Sequence, residues 1–196
     1  MSTDRKRQRN TMVERQIAAR GITDEAILDA FREVPREDFI EPGMEAFAYE
    51  DGPLPIGEGQ TISQPFIVAS MIDAADVKSG DRVLEVGAGS GYAAAVLSRI
   101  ADRVFAIERH AVLARRAGER IERLRYDNCS IMPGDGTKGL PEEAPFDAIL
   151  VAARIEVIPE PLKRQLRIGG LLIIPVGGED VQQLQAVVRT GENSWT

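Results

Sequence analysis

A chain of 196 residues with 43% hydrophobic and only 5% aromatic side chains is long enough to bury an aliphatic core of its own. Its 31 acidic against 24 basic side chains leave a formal charge of -7, which disfavours bulk nucleic acid and anionic membrane as partners. One cysteine, Cys129, and one histidine, His110, exclude an internal disulfide and a zinc site built on several cysteines or histidines; no carboxylate cluster suggests another metal.

The basic cluster Arg5-Lys6-Arg7-Gln8-Arg9 reads as a solvated or frayed terminus. No apolar segment follows it as in a secretory signal, and no run approaches the roughly 18 residues of a membrane span. A cytoplasmic location is expected. From Thr11 to about Phe39 the spacing predicts two short helices, with Met12, Ile17 and Ala18 on one apolar stripe and Ile27, Leu28 and Phe31 on the other. Asp24 and Glu25 place negative charge in the second helix's first turn. Residues 41–61 hold seven Gly and Pro and predict a long ordered loop serving a site.

A helix is predicted over 65–77, with Pro65 near its start and Ile67, Val68, Met71 and Ile72 inward. Then come strand 83–86, a glycine turn, helix 92–100, strand 103–107, a helix to about Arg125, a strand near 129–132, strand 146–153, helix 159–167 ending at Gly169-Gly170, and strand 171–176. Residues 182–190 alternate like a strand before the turn signal Gly191-Glu192-Asn193. The expectation is an α/β chain: one doubly wound, mostly parallel sheet with helices on both faces and a helical segment ahead of it. The chain is divided as a single domain, 1–196, with entry helices and a site loop in 1–80 and the sheet core in 81–196.

Gly87, Gly89 and Gly91 follow the first core strand, so backbone N–H groups and a helix start should meet a ligand there. Glu108, about 20 residues on at the next strand end, is placed to bind two ribose hydroxyls. Tyr92 occupies the sixth position, where a dinucleotide fingerprint has glycine. Asp135, between Gly134 and Gly136 after the third strand, can accept from an adenine amino group, with the glycines keeping the pocket open. Two acidic groups and no pyrophosphate site point to S-adenosylmethionine as cofactor.

The stretch GEGQTISQPFIVASMIDA at 57–74, with RGITDEAILDAF and VPREDF before it and GDG, FDAILVAA and IPVG after it, resembles the protein-L-isoaspartate O-methyltransferase family from about Met12 to Val176. Its most specific element is Gly59-Gln60-Thr61-Ile62-Ser63-Gln64-Pro65. The resemblance implies a Rossmann-like methyltransferase fold and a protein-repair enzyme that methylates the free α-carboxylate of isoaspartyl residues in damaged proteins and peptides. The ester then collapses to a succinimide, which partly returns to aspartate. By the same match Ser63 orients the attacking carboxylate, Thr61 and the backbone of Gln60 to Ile62 wall the methyl donor, and Val68 and Glu85 join Gly87, Gly89, Gly91, Glu108, Asp135 and Gly136 at the cofactor. The chemistry is consistent with this, because a carboxylic acid with pKa near ~4 is already ionised at neutral pH and needs aim rather than a base.

His110 reads as a surface residue, Cys129 as a small buried hydrophobe, and Trp195 has no assigned role. Two departures stand out. Ala152-Ala153-Arg154-Ile155-Glu156 replaces the family's usual Thr-Ala-Ala and Ala/Pro stretch in the loop expected to face the methyl group, and no returning strand is expected after 182–190. That leaves an edge open to pairing with another subunit. The alternatives are a methyltransferase acting on a small molecule and a cofactor-binding module without turnover.

Overall fold

The structure, a computed structural model, describes residues 2–178 and 182–196. Helix α1, Ser2–Met12, runs through the basic cluster, so the terminus is not frayed as expected. Arg5 donates to the Glu45 carbonyl, and Arg9 donates to the Arg32 carbonyl at 2.6 Å and to the Tyr49 hydroxyl at 3.3 Å. These long-range bonds hold the helix down, while Lys6 and Arg7 stay exposed. The chain continues through a π-helical turn, Val13–Ile17, and a 3-10 turn, Ala18–Arg20, and Gly21 at φ 103 stops it.

Helix α2, Glu25–Glu33, starts one position beyond Asp24, whose carboxylate accepts the N–H groups of Ala26 at 2.8 Å and Ile27 at 3.4 Å. Asp24 is therefore the cap rather than a first-turn charge. The expected loop at 41–61 contains structure: β1, Leu54–Gly57, and β2, Gln60–Ile62, pair as an antiparallel hairpin. Helix α3, Pro65–Ala74, follows at once; Val68, Met71 and Ile72 are buried, but Ile67 is 44% exposed rather than inward.

The remaining elements are β3 (Arg82–Val86), α4 (Tyr92–Leu97), β4 (Arg103–Glu108), α5 (Ala111–Arg123), β5 (Cys129–Pro133), β6 (Phe146–Val151), α6 (Glu160–Arg164), β7 (Leu166–Gly177), β8 (Gln182–Gly191) and β9 (Ser194–Trp195). They form one sheet in the order β5-β4-β3-β6-β7-β8-β9, parallel up to β7 and antiparallel beyond. The fold is the predicted α/β one. Helices α4 and α6 are shorter than expected. The Gln165 carbonyl, just after α6, accepts the Phe146 N–H at 2.8 Å, so the chain has already joined the sheet. Gly169 and Gly170 lie inside β7, not at a helix end. A Cβ on Gly170 would come within 3.0 Å of the Phe146 carbonyl oxygen, so glycine lets a bulged strand pass close to its neighbour.

The C-terminus corrects two expectations. Ser194–Trp195 does return, pairing Arg189 with Trp195, and Val188 and Thr196 exchange backbone bonds of 2.8 and 3.0 Å. Trp195 is an anchor: its indole N–H donates to the Lys163 carbonyl at 3.1 Å, with the Lys163 ammonium 5.0 Å from the ring centre.

Strand alternation divides the core between the two faces of the sheet. Leu84, Val86, Phe105, Ile107, Ile149 and Val151 pack on one face with Leu162. Val83, Val104, Ala106, Ala148 and Leu150 pack on the other, in the same cluster as Met12, Ile17, Phe31 and Ile72 of the entry helices. Glu85 and Glu108 have the parity of this second face, so both carboxyls point toward the side that the N-terminal segment covers.

Candidate active site

Strands β3, β4 and β5 wind outward in one direction and β6 and β7 in the other, so the order reverses between β3 and β6. In open α/β sheets a ligand crevice forms outside the carboxyl ends of the strands at such a point. A cleft of about 620 Å³ lies there, lined by Gly87 and Gly89 after β3, Glu108 and Arg109 at the end of β4, Asp135 and Gly136 after β5, and Ala152 to Ile155 after β6. Gln60 and Thr61 of β2 close it from above. A second cavity of about 60 Å³, lined by Ile62, Ser63, Val68, Glu85 and Tyr92, shares Thr61, Gly87, Gly89 and Ala152 with the cleft. Every candidate residue except Gly91 lines one or the other.

The glycine turn is held differently from the expected row of free donors. The N–H groups of Gly87 and Ala88 donate to the Ile107 carbonyl at 2.8 and 3.1 Å, and that of Gly91 to Ala88 at 2.8 Å. Gly89 donates to Glu108 Oε2 at 2.9 Å, and His110 donates its backbone N–H to Oε1 at 2.8 Å. Helix α4 is only six residues long and adds little dipole. Gly91, at φ 86, is required for packing: a Cβ there would meet Ile131 Cδ1 at 3.0 Å and Ala117 Cβ at 3.4 Å. Gly89 is shaped by protein too, since its Cβ would sit 3.1 Å from Ile56 of the hairpin.

Glu108 is only 5% exposed, and each carboxylate oxygen keeps acceptor capacity beyond its one backbone bond. Glu85 is 2% exposed, its Oε2 has no hydrogen-bond partner, and burial together with the Glu108 carboxylate pushes its pKa up to about 8. Its cross-strand neighbours are Ala106 and Leu150, neither of which offers a polar side chain.

Ser63 sits between β2 and α3 on the wall of the small cavity. The cap position of α3 is Gln64, with no side-chain cap bond, so the Ser63 hydroxyl is not spent on the helix. Thr61 faces both spaces, Ile62 is buried beneath, and Val68 reaches the cavity from the first turns of α3.

Asp135 is exposed and caps a 3-10 turn: Oδ1 accepts from the Thr137 N–H at 3.1 Å and the Thr137 hydroxyl at 2.7 Å, and that hydroxyl bond holds its pKa down. Gly136 is glycine for packing rather than for an open pocket, because a Cβ would collide with Val86 Cγ1. Arg154 is exposed and lines the cleft with Thr61 and Glu108. His110 is the backbone cap position of α5, with Arg109 Nε donating to its Nε2 at 3.1 Å. The Cys129 thiol is buried and pushed up to about 12 by desolvation. Among the described residues no group of three His, Cys, Asp or Glu could hold a metal.

Tyr92, Met71 and Arg109 are lining residues that the sequence reading did not assign. Tyr92 had a signal, being the residue that occupies the would-be third glycine position of a dinucleotide turn. Met71 had one as well, on the α3 face shared with Val68.

Comparison with known proteins identifies the chemistry. The model of the protein-L-isoaspartate(D-aspartate) O-methyltransferase family matches residues 7–196. The chain is 54% identical over 188 residues to protein-L-isoaspartate O-methyltransferase 2 of Pelobacter propionicus, covering 95% of this chain and 84% of that one. It is 56% identical over 190 residues to the protein-L-isoaspartate O-methyltransferase of Methylorubrum extorquens, covering 97% and 83%. Among solved structures, a protein-L-isoaspartate O-methyltransferase of Plasmodium falciparum in complex with S-adenosyl-L-homocysteine superposes with a TM-score of 0.81 at 28% identity, over 95% of this chain and 92% of that chain. The chain belongs to the protein-L-isoaspartate O-methyltransferase family and is an S-adenosylmethionine-dependent enzyme of that activity.

Proposed function

We propose that the 620 Å³ cleft holds the adenosine of S-adenosylmethionine, that the smaller cavity holds its methionine tail, and that the isoaspartyl α-carboxylate approaches at Ser63. The observation that carries this reading is the junction of the two spaces at Thr61, Gly87, Gly89 and Ala152. The residues present fit the cofactor. Glu108 has open acceptor positions for a ribose at the cleft, and Glu85 has a buried oxygen that lacks a donor. When bound, the cofactor supplies a methyl group activated on a sulfonium, which departs as a neutral thioether.

The chain's task is to aim and to exclude water. A free α-carboxylate arrives ionised, so no side chain needs to remove a proton. Ser63 donates its hydroxyl to one carboxylate oxygen and leaves the other free to face the methyl carbon in line with the sulfur. Such positioning contributes up to roughly 7–11 kcal/mol in favourable cases. Thr61, Gln60 and buried Ile62 cover the donor from the hairpin, Val68 packs beside it, and Gly87 lets the ligand lie close to the turn. Asp135 uses Oδ2 toward the adenine amino group while Oδ1 keeps the Thr137 turn, and Gly136 continues the cleft floor. Arg154, at the rim, pairs with the carboxylates of the incoming peptide.

The entry helices and the sheet act as one domain, a reading supported by their shared apolar cluster. The cytoplasm is the proposed location, and proteins rather than nucleic acids are the partners, in line with the charge of -7. No helix among the described residues is long and apolar enough to cross a membrane. Any contact between subunits would use the part of the β8 edge ahead of Val188, where Leu184 is 48% exposed. The α-carboxylate assignment is tested with two synthetic peptides, one isoaspartyl and one with that carboxyl blocked as an amide. Methyl transfer to the first alone supports it, and equal transfer to both contradicts it.

A further inference from the structure

The carboxyl of Glu85 is the least satisfied polar group at the site. It projects from the central strand into the small cavity, is 2% exposed, and Oε2 has no hydrogen-bond partner. The groups around it are set by the elements packed there. Strand β4 contributes the Glu108 carboxylate, a like charge; β5 contributes the un-ionised Cys129 thiol; α4 contributes the Ala94 N–H, which favours the ionised form. Helix α3 and β6 contribute Met71, Ile72 and Leu150, Thr61 and Ser63 are the polar side chains on the hairpin side, and Ser90 lines the cavity from the glycine turn. Among the described residues, no cation is one of the groups that shift Glu85. A lone anion in such a place is costly, so below about pH 8 the neutral form of the group is favoured until a positive charge arrives.

The methionine part of the cofactor is the positive charge that this cavity would receive, through its ammonium group and, before transfer, its sulfonium. We propose that Glu85 is a carboxylic acid in the ligand-free enzyme and ionises when the cationic methionine tail enters the cavity, so that cofactor binding releases a proton. The proton leaves the Glu85 carboxyl for solvent buffer, and the carboxylate stays behind as counter-ion to the ligand. Burial and Glu108 hold the free group near a pKa of about 8, so at neutral pH it is mostly protonated before binding. A ligand that lowers that pKa must bind more tightly as pH rises toward 8 and level off above it. This inference rests on the cofactor placement above and adds a charge-sensing role for one side chain.

The test is titration calorimetry on the full chain with S-adenosylhomocysteine, in paired buffers of different ionisation heat at pH 6.5, with 5′-methylthioadenosine as a ligand that lacks the amino-acid tail. The expected result is release of about one proton per S-adenosylhomocysteine bound and none with 5′-methylthioadenosine, with homocysteine-ligand affinity rising by up to about tenfold per pH unit between pH 6 and 7.5. Glu85→Gln should abolish the release. S-adenosylhomocysteine binding without proton release, equal release from both ligands, or equal release from Glu85→Gln overturns the inference while leaving the cofactor site in place. Failure of both ligands to bind overturns the placement and the inference together. If Glu85→Gln does not fold, the two-ligand comparison on the native chain decides alone.

Discussion

Glu108 Oε2 accepts the backbone N–H of Gly89 at 2.9 Å, so the side chain proposed to hold the ribose also closes the glycine turn. Its other oxygen holds His110 at the start of α5. Replacing Glu108 by alanine should therefore weaken ligand binding and loosen the turn together. Loss of S-adenosylhomocysteine affinity of about 1.5–3 kcal/mol is expected from charged hydrogen bonds, with a lower melting temperature beside it. Calorimetry and a melt measure the two effects, and unchanged affinity would remove Glu108 from the cofactor site.

Ser63 gives the opposite pattern. Because Gln64, not Ser63, holds the cap position of α3, Ser63→Ala should leave the melting temperature and S-adenosylhomocysteine affinity near those of the native chain. Turnover on an isoaspartyl peptide should fall, by about tenfold or more if a hydrogen bond of about 1.5–3 kcal/mol to a charged group is lost in the transition state. Native turnover in the variant would end the positioning role.

The raised pKa of Glu85 also fixes the sign of a stability effect. The unfolded chain ionises this group near ~4.3, whereas the folded chain holds its proton up to about pH 8. Between those values the folded state binds more protons, so this group's contribution makes stability fall as pH rises and is flat above the window. Glu85→Gln stays neutral throughout. Its stability relative to the native chain, measured by urea unfolding without cofactor, should increase from pH 5 to pH 8, and a difference independent of pH would refute the protonated state.

Arg154 is tested through the substrate rather than the cofactor. Arg154→Ala should raise KM for an isoaspartyl peptide with acidic flanks and make that KM less sensitive to salt, because a charge-assisted contact is lost. S-adenosylmethionine affinity should not move. Steady-state kinetics at two ionic strengths provide the check, and an unchanged KM would return the residue to the solvent.

Gly136→Ala probes packing beneath the cleft. The new methyl would strike Val86 Cγ1, and overpacking of this kind costs about 1–3 kcal/mol. A melt of the variant should show that loss even without ligand; native stability would mean that Val86 moves aside freely.

The α/β alternation and the acidic residues Glu108 and Asp135 at strand ends were legible because each follows from local pattern: an apolar strand, a turn, an acidic residue at the strand's end. Ser63 was placed by the family resemblance, and the hairpin before it read as a loop because two strands of four and three residues show too little alternation. Other features depended on distant partners. Nothing adjacent to Arg9 announces the Arg32 carbonyl that holds α1 down, and nothing near Gly91 announces Ile131 and Ala117. Gly169-Gly170 looked like a helix end because glycine punctuates helices and bulged strands alike. The return of Ser194–Trp195 escaped notice because two residues show no alternation, and its anchor, Lys163, lies 32 positions upstream. The buried state of Glu85 could be read only once Ala106 and Leu150 were seen on either side of it.

The most direct measurement of the central claim is methyl transfer from labelled S-adenosylmethionine to an isoaspartyl peptide, with the normal aspartyl peptide of the same sequence as control, followed by mass spectrometry. The account predicts a labelled ester on the isoaspartyl peptide, its collapse to the succinimide, and no transfer to the control. Cofactor binding without transfer to the isoaspartyl peptide, or equal transfer to both peptides, would contradict it.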